Sequence, residues 1–379
     1  MKIVVMMDSF KGSLSSLEAG SIVKDEILGL NPKEEIKILP IADGGEGTID
    51  AMADLPSAIY EKVLVKDPLL NEREARYVIV VDKNLAIMEM SEAAGLVLIK
   101  DNLAPLRAST YGVGMMILDA MDKGIRDFII GIGGSATNDG GVGMLAALGF
   151  KFLDADGFEI FPANIGLSKL SSIDISNADK RLGDCNFKIA CDVDNPLTGN
   201  RGAAAVYGPQ KGASPDEVRF IDQNLKLFHK LSQTVIADAD DNFPGVGAAG
   251  GLGYAFLNYL KADLAPGIEI ILDTLGADKI LDGADLVITG EGKIDFQSSM
   301  GKAPTGVAKL AKSHGANVIA FAGIVDNDAI EINKHGIDAF FPIIDKLTSL
   351  EEAMDKAKAE ENLRRTVNQV FRLIYLYKD

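Results

Sequence analysis

Apolar runs in this 379-residue chain repeatedly end in the same material: carboxylates and hydroxyls beside glycine, with an occasional lysine. KIVVMM (2–7) leads into Asp8, Ser9 and Lys11, and EIKILPIAD (35–43) ends in Asp43 and runs into Gly44-Gly45-Glu46-Gly47. Phe128-Ile129-Ile130 opens onto GIGGSATNDGGVGM (131–144), where glycines surround Ser135, Thr137, Asn138 and Asp139. FKIACDV (187–193) carries Asp192, with Asp194 and Asn195 behind it. DLVITG (285–290) is followed by Glu291, Lys293 and Asp295, with Lys302 nearby. Ligands of open α/β sheets bind at the carboxyl ends of the strands, so these residues form the candidate site. Carboxylates next to lysines, hydroxyls and bare backbone suit Mg²⁺ held between protein and phosphate. That supports phosphoryl transfer or the binding of a phosphate ester, with the acceptor open.

The glycines of 131–144 need a reason, since each costs about 0.5–1 kcal/mol relative to Ala inside an element. Gly131-Ile132-Gly133-Gly134-Ser135-Ala136 can be laid on GxGxxA, the dinucleotide fingerprint, with Asp154 or Asp156 as the later acidic residue. That reading predicts a dinucleotide-dependent oxidoreductase. A Rossmann turn starts its helix at once, however, and Asp139-Gly140-Gly141 delays the helix here to about Val142. The wider alternative is an anion nest. Backbone N–H groups of Gly133 and Gly134 would cradle phosphate, with Ser135, Thr137, Asn138 and Asp139 around it. A glycine-rich structural turn is the third reading, and a binding protein that uses such nests without turnover is the non-catalytic one.

Other chemistries fall away on motif grounds. GxxxxGK[ST] does not occur, nor do the HRD and DFG strings of protein kinases. His229, His314 and His335 fall in helical or surface-like stretches away from the strand ends, which argues against a His-based triad. Proton abstraction then belongs to an Asp or Glu, and Asp192 and Asp43 are placed for it. Lys11, between a strand and a helix N-terminus, is placed to meet phosphate or carboxylate.

The net charge of −17 argues against nucleic acid or an anionic membrane surface as partner, since both want a basic face. An anionic substrate would need local positive charge. Cys185 and Cys191 lack the spacing of a zinc site, and two cysteines do not suggest a disulfide scaffold. No signal-like or membrane-spanning run is present, so a cytoplasmic location is expected.

The elements that must position these residues change style along the chain. Strand 2–7, a helix opened by the capping-box spacing Ser15–Glu18, strand 35–43 and a helix from Thr48 form a βαβα start, which implies a parallel sheet. From about 61, EKVLVKD, REARYVIVV and LAIMEMSE read as hairpin strands. Helices at 111–122 and 215–237 and the loop GVGAAGGLG (245–253) follow, and near 285 the first style returns. The chain therefore reads as α/β with two α/β domains. One is a Rossmann-like parallel-sheet domain from both chain ends, 1–62 and 285–379. The other is an inserted mixed-sheet domain, 63–284. The last helix, about 349–375, shows an apolar face through Ala353, Met354, Leu363, Val367, Val370 and Ile374. Core packing is the simple use of that face, and a homodimer contact is the alternative.

DSFKGS (8–13), PIADGGEGT (40–48), GIGGSATNDGG (131–141), ACDVDNPLTG (190–199), YGPQKGA (207–213), GAAGGLGYA (247–255), and ITGEGKIDFQS (288–298) with GKAPTGVA (301–308) together resemble, in that order, the bacterial type-1 glycerate kinases. The resemblance covers about 1–345. It implies ATP-dependent, Mg²⁺-requiring phosphorylation of D-glycerate, usually to 2-phosphoglycerate, in a cleft between two α/β domains. Residue by residue, it places Lys11, Asp43 and Asp192 in that cleft and the 133–139 loop on phosphate; of these, we expect Asp192 to be the base, with Asp43 as its competitor, and Lys11 to meet phosphate. Asp8, Ser9 and Gln297 fall to the substrate, and Glu291 and Asp295 to Mg²⁺. Position along the glycerate chain stays open, because the 2- and 3-hydroxyls differ by one carbon in placement. Two departures stand out: Met6-Met7 replaces the family's Ala-Pro, and Val113 and Met115 replace a Thr and a Glu in its YGTGEL stretch.

Overall fold

The computed structural model describes residues 1–10, 12–45, 47–55, 57–295 and 302–377. The chain forms two compact units. The first is Met1–Asp43, Asp50–Pro56 and Pro266–Asp379, and the second is Gly44–Ile49 and Ser57–Ala265. Strands are numbered along the chain. The first unit begins with β1 (Lys2–Met7) and β2 (Glu35–Ile38). The second holds β3 (Ala58–Lys66), β4 (Glu72–Val80), β5 (Leu85–Glu89), β6 (Asp127–Gly131), β7 (Lys151–Leu153), β8 (Ser172–Asp174), β9 (Asn186–Ala190) and β10 (Asp263–Ala265). β11 (Leu286–Ile294), β12 (Asn317–Val325) and β13 (Ala339–Pro342) return to the first.

The first unit is a five-stranded sheet in the order β13-β12-β11-β1-β2, every pair parallel. β1 sits inside it and alternates its side chains between two apolar layers, as a strand covered on both faces must. Ile3, Val5 and Met7 meet Ile22, Val23 and Ile27 of helix Ser16–Leu30 and Leu363, Val367 and Phe371 of helix Lys356–Leu376. Val4 and Met6 face the other way, toward Val307, Ala308 and Ala311 of helix Ala303–Ser313. Each such side chain is worth roughly 1.5–3 kcal/mol of burial. Met6 and Met7 pair with Thr289 and Gly290 and are ordinary strand interior.

Helix Ser16–Leu30 starts where the capping-box spacing places it. Ser15 Oγ accepts from Glu18 N at 3.2 Å, and Glu18 accepts from Ser15 N at 2.9 Å. The last helix differs from expectation. It divides into Leu350–Ala353 and Lys356–Leu376, because Asp355 accepts from Lys358 N at 3.0 Å and starts a new helix. Its Leu363, Val367 and Val370 lie in the unit's own core.

In the second unit the order is β10-β9-β6-β5-β4-β3. β3, β4 and β5 are antiparallel hairpin strands, while β5, β6, β9 and β10 run parallel. β3 pairs with β4 along its whole length, from Ala58↔Val80 to Lys66↔Glu72, which ties it to this unit. The parallel half places the ends of β6 and β9 side by side, with Gly131 opposite Ala190. Phe128 and Phe187, stacked at 4.9 Å, hold those strands from the core side. Helix Pro215–Ser232 opens with Pro at its first position and a Ser214–Glu217 capping box. It stops at Ser232, five residues before the expected end at 237.

Candidate functional site

In the first unit, the carboxyl ends of β1 and β11 border a cavity of about 370 Å³. Asp8 N donates to Gly290 O at 2.9 Å, which keeps the chain beside β11 for one residue past β1. The Asp8 carboxylate then accepts from Ser9 N at 2.6 Å and turns the backbone away. Asp8, Ser9, Asp43, Glu291, Lys293, Asp295 and Lys302 make the polar side of the cavity, and Phe10, Ile324, Ile343 and Met354 line the apolar side. Glu291 and Lys293 belong to β11 itself, which runs to Ile294 beside β12 after its pairing with β1 ends at Gly290. Lys293 pairs with Asp326 at 2.7 Å and Asp295 at 3.3 Å, and these carboxylates, Asp326 foremost, raise its pKa. Lys11, Glu46 and Gln297 lie outside the described residues.

Among the described residues, no three carboxylate, histidine or cysteine side chains converge as a cage for a metal ion. Mg²⁺ in phosphoryl-transfer sites takes one or two protein carboxylates and fills its shell with phosphate oxygens and water. Asp8, Asp43, Glu291 and Asp295, ranged around one cavity, fit a cation that arrives on a polyphosphate.

A second cavity, of about 390 Å³, lies within the second unit. Gly133, Gly134 and Ser135 beyond β6 line it, with Cys191 and Asp192 beyond β9 and Gly44 and Gly45. Buried Glu89, at the end of β5, holds the 44–49 segment: its carboxylate accepts from Gly47 N at 3.0 Å and Ile49 N at 2.9 Å. Gly131 is required by close approach, since a Cβ there would stand 2.1 Å from Gly44 O. Gly134 has φ +70°, a conformation that suits glycine. Asp192 is exposed at the rim, and burial raises the Cys191 thiol to about 11, which leaves it protonated and inert.

The structure parts company with the sequence reading at Thr137, Asn138 and Asp139. All three are fully buried and border neither cavity. The Asp139 carboxylate accepts from Thr110 N and Oγ1, both at 2.8 Å, and from Gly141 N and Gly143 N, both at 3.1 Å. It closes the N-terminus of helix Val142–Ala147, where the dinucleotide reading would need a free pyrophosphate site. Burial raises its pKa, and those hydrogen bonds oppose the rise. Asn138 Nδ2 donates to Pro105 O at 3.2 Å, and Asn138 O accepts from Asn164 Nδ2 at 2.8 Å. The phosphate-ready part of the loop thus shrinks to Gly133, Gly134 and Ser135.

Lys211 lines the second cavity and was assigned no role by the sequence reading. It is only 2% exposed, and its ammonium donates to Ser135 Oγ at 2.8 Å and Thr137 O at 2.6 Å. Burial pushes its pKa down to about 7, against the opposing pull of the Asp139 charge. The available signal was its place in YGPQKGA, a lysine among turn residues with no neighbouring carboxylate.

No helix among the described residues is long and apolar enough to cross a membrane. The sequence profile of the Glycerate kinase family matches residues 3–375. The chain is 44% identical over 379 residues to the glycerate kinase of Bacillus subtilis (strain 168), covering 100% of this chain and 99% of that one. It is 41% identical over 373 residues to the glycerate 2-kinase of Escherichia coli (strain K12), covering 97% and 98%. Among solved structures it resembles a candidate glycerate kinase 2 from Salmonella typhimurium LT2, with a TM-score of 0.91, 42% identity and coverage of 99% and 98%. Matched nearly end to end in sequence and in fold, the chain belongs to the glycerate kinase family.

Proposed function

We propose that this chain transfers the γ-phosphoryl group of ATP to the 2-hydroxyl of D-glycerate, giving ADP and 2-phosphoglycerate, in the cytoplasm. The observation that carries the reading is the second cavity. It joins a solvent-facing carboxylate, Asp192, to bare glycine backbone and the Ser135 hydroxyl. In this reading Asp192 accepts the glycerate hydroxyl proton as the oxygen bonds to the γ-phosphorus and the bridging bond to ADP breaks. N–H groups of Gly133 and Gly134 suit the charge that gathers on the transferring oxygens. In the first unit, Lys293 and Lys302 suit the polyphosphate, and the apolar wall at Phe10, Ile324, Ile343 and Met354 suits a purine. Mg²⁺ would be held by one or two of Asp8, Asp43, Glu291 and Asp295, and would neutralise charge on the phosphates. Lys11 and Gln297 complete the set, on phosphate and on substrate.

The 2-position follows the E. coli relative, whose name is glycerate 2-kinase. The test couples the purified protein, Mg-ATP and D-glycerate to enolase, with ADP assayed in parallel. Phosphoenolpyruvate should appear as fast as ADP. Glycerate-dependent ADP without it would move attack to the 3-hydroxyl, and no glycerate-dependent ADP would end the reading. Asp192→Asn should lower kcat about 10²–10⁴-fold. Turnover within tenfold of wild type would remove Asp192 as the base.

A further inference from the structure

A lysine side chain almost never goes fully inside a protein unless it is paired. Lys211 is inside, and among the described residues its two hydrogen-bond partners are both neutral, a hydroxyl and a carbonyl. An ammonium has three protons to donate, so one donor remains. The side chain borders the 390 Å³ cavity that also holds Asp192. Burying an ammonium against neutral partners is costly; the Asp139 charge behind it offsets part of that cost, and a bound anion would remove more.

We propose that the Lys211 ammonium, set between Ser135 and the Thr137 carbonyl, anchors the carboxylate of the acceptor, and so selects a hydroxy acid over an uncharged polyol. The proposal rests on the reading that the second cavity receives glycerate. It gives that cavity two separate tasks: Asp192 works on the hydroxyl and Lys211 holds the acid. The free ammonium, depressed to about 7, is largely neutral at pH 8, and a bound carboxylate recharges it. Binding at pH 8 therefore draws a proton from solvent. Among the described residues, the other titratable groups near Lys211 are Cys191, Asp192 and Tyr207 at the cavity and Asp139 behind it. Cys191 and Tyr207, both with raised pKa values, are already protonated at pH 8.

The test is calorimetry of D-glycerate, and separately of glycerol, binding to the full chain without nucleotide. Wild type should bind D-glycerate at least tenfold more tightly than glycerol. It should take up roughly half to one proton at pH 8, read from buffers of different ionisation enthalpy. The uptake should persist in Asp192→Asn. Lys211→Met should weaken D-glycerate at least tenfold, erase the preference over glycerol and leave Mg-ATP affinity within twofold. Proton uptake of zero in wild type would overturn the proposal even if the variant failed to fold. A Lys211→Met protein that keeps its D-glycerate affinity, or loses Mg-ATP affinity instead, would also overturn it. If wild type neither binds D-glycerate nor makes ADP from it, the parent reading has failed rather than this one.

Discussion

Lys211 links the chemistry of one side chain to the pH dependence of folding. Its folded pKa, about 7, lies below the roughly 10.4 of an unfolded lysine. Below pH 7 both states hold the proton, and the folded protein bears the full cost of a buried charge. Between pH 7 and 10.4 the unfolded chain binds more protons, so this residue's contribution to stability rises with pH. Above that range both states are neutral and the cost is gone. Urea unfolding from pH 7 to 10 should show wild type gaining on Lys211→Met by up to about 1.4 kcal/mol per pH unit. Parallel curves would mean the ammonium is not depressed. The position of Asp192, just past an apolar strand, is legible in the sequence as a pattern of residue types. Lys211 was not, because its burial depends on residues 135, 137 and 211 coming together, and sequence spacing does not show that. Asp139 was misassigned because a polar residue in a glycine-rich loop looks the same whether it faces a ligand or caps the next helix.

The glycine-rich loops divide by what each glycine touches. Gly250, with φ +67°, lies so close to the 137–141 loop that a Cβ would stand 2.0 Å from Thr137 O. Gly140 N also donates to Gly250 O at 3.0 Å, so the loops 131–144 and 245–253 are locked backbone to backbone. At Gly133 the nearest atom to an added Cβ is 3.8 Å away, and φ is not positive. Gly250→Ala should therefore cost roughly 2–5 kcal/mol of stability, from overpacking and left-handed strain. Gly133→Ala should unfold at the wild-type urea midpoint and still lose turnover, because its methyl enters the cavity. The reverse pattern would show that the roles are exchanged. The motif was visible in the sequence as a cluster of glycines. Its division into packing and ligand-facing positions was not, since that depends on a second loop more than a hundred residues away.

Across the molecule, the described residues proposed for nucleotide lie in the first unit and the described residues proposed for the acceptor in the second. Hydrogen exchange should read this directly. Mg-ATP should slow amides at 8–10, 288–295 and 321–325, and D-glycerate those at 132–135 and 190–193. Protection of 190–193 by Mg-ATP alone would exchange the two assignments. At this scale the alternation of strand and helix styles showed a mixed-sheet unit inserted in a parallel one. The short 44–49 segment was hidden, because its place in the second unit depends on a distant buried acid, Glu89, which accepts from Gly47 N and Ile49 N.

The place of β1 inside its sheet has a consequence for the order in which the chain is made. β2 follows it closely, but β11, its partner on the other side, begins at Leu286. At about 5–20 residues per second, ribosomal synthesis leaves KIVVMM one-sided for roughly 15–60 s. Until then the edge of β1 that β11 will cover stays open, with unpaired N–H and C=O groups. All strands of the second unit have by then been made, ending at Ala265. The nascent chain therefore carries a finished set of strands for its middle while apolar β1 still waits for a partner, which makes that strand a natural place for a chaperone to hold.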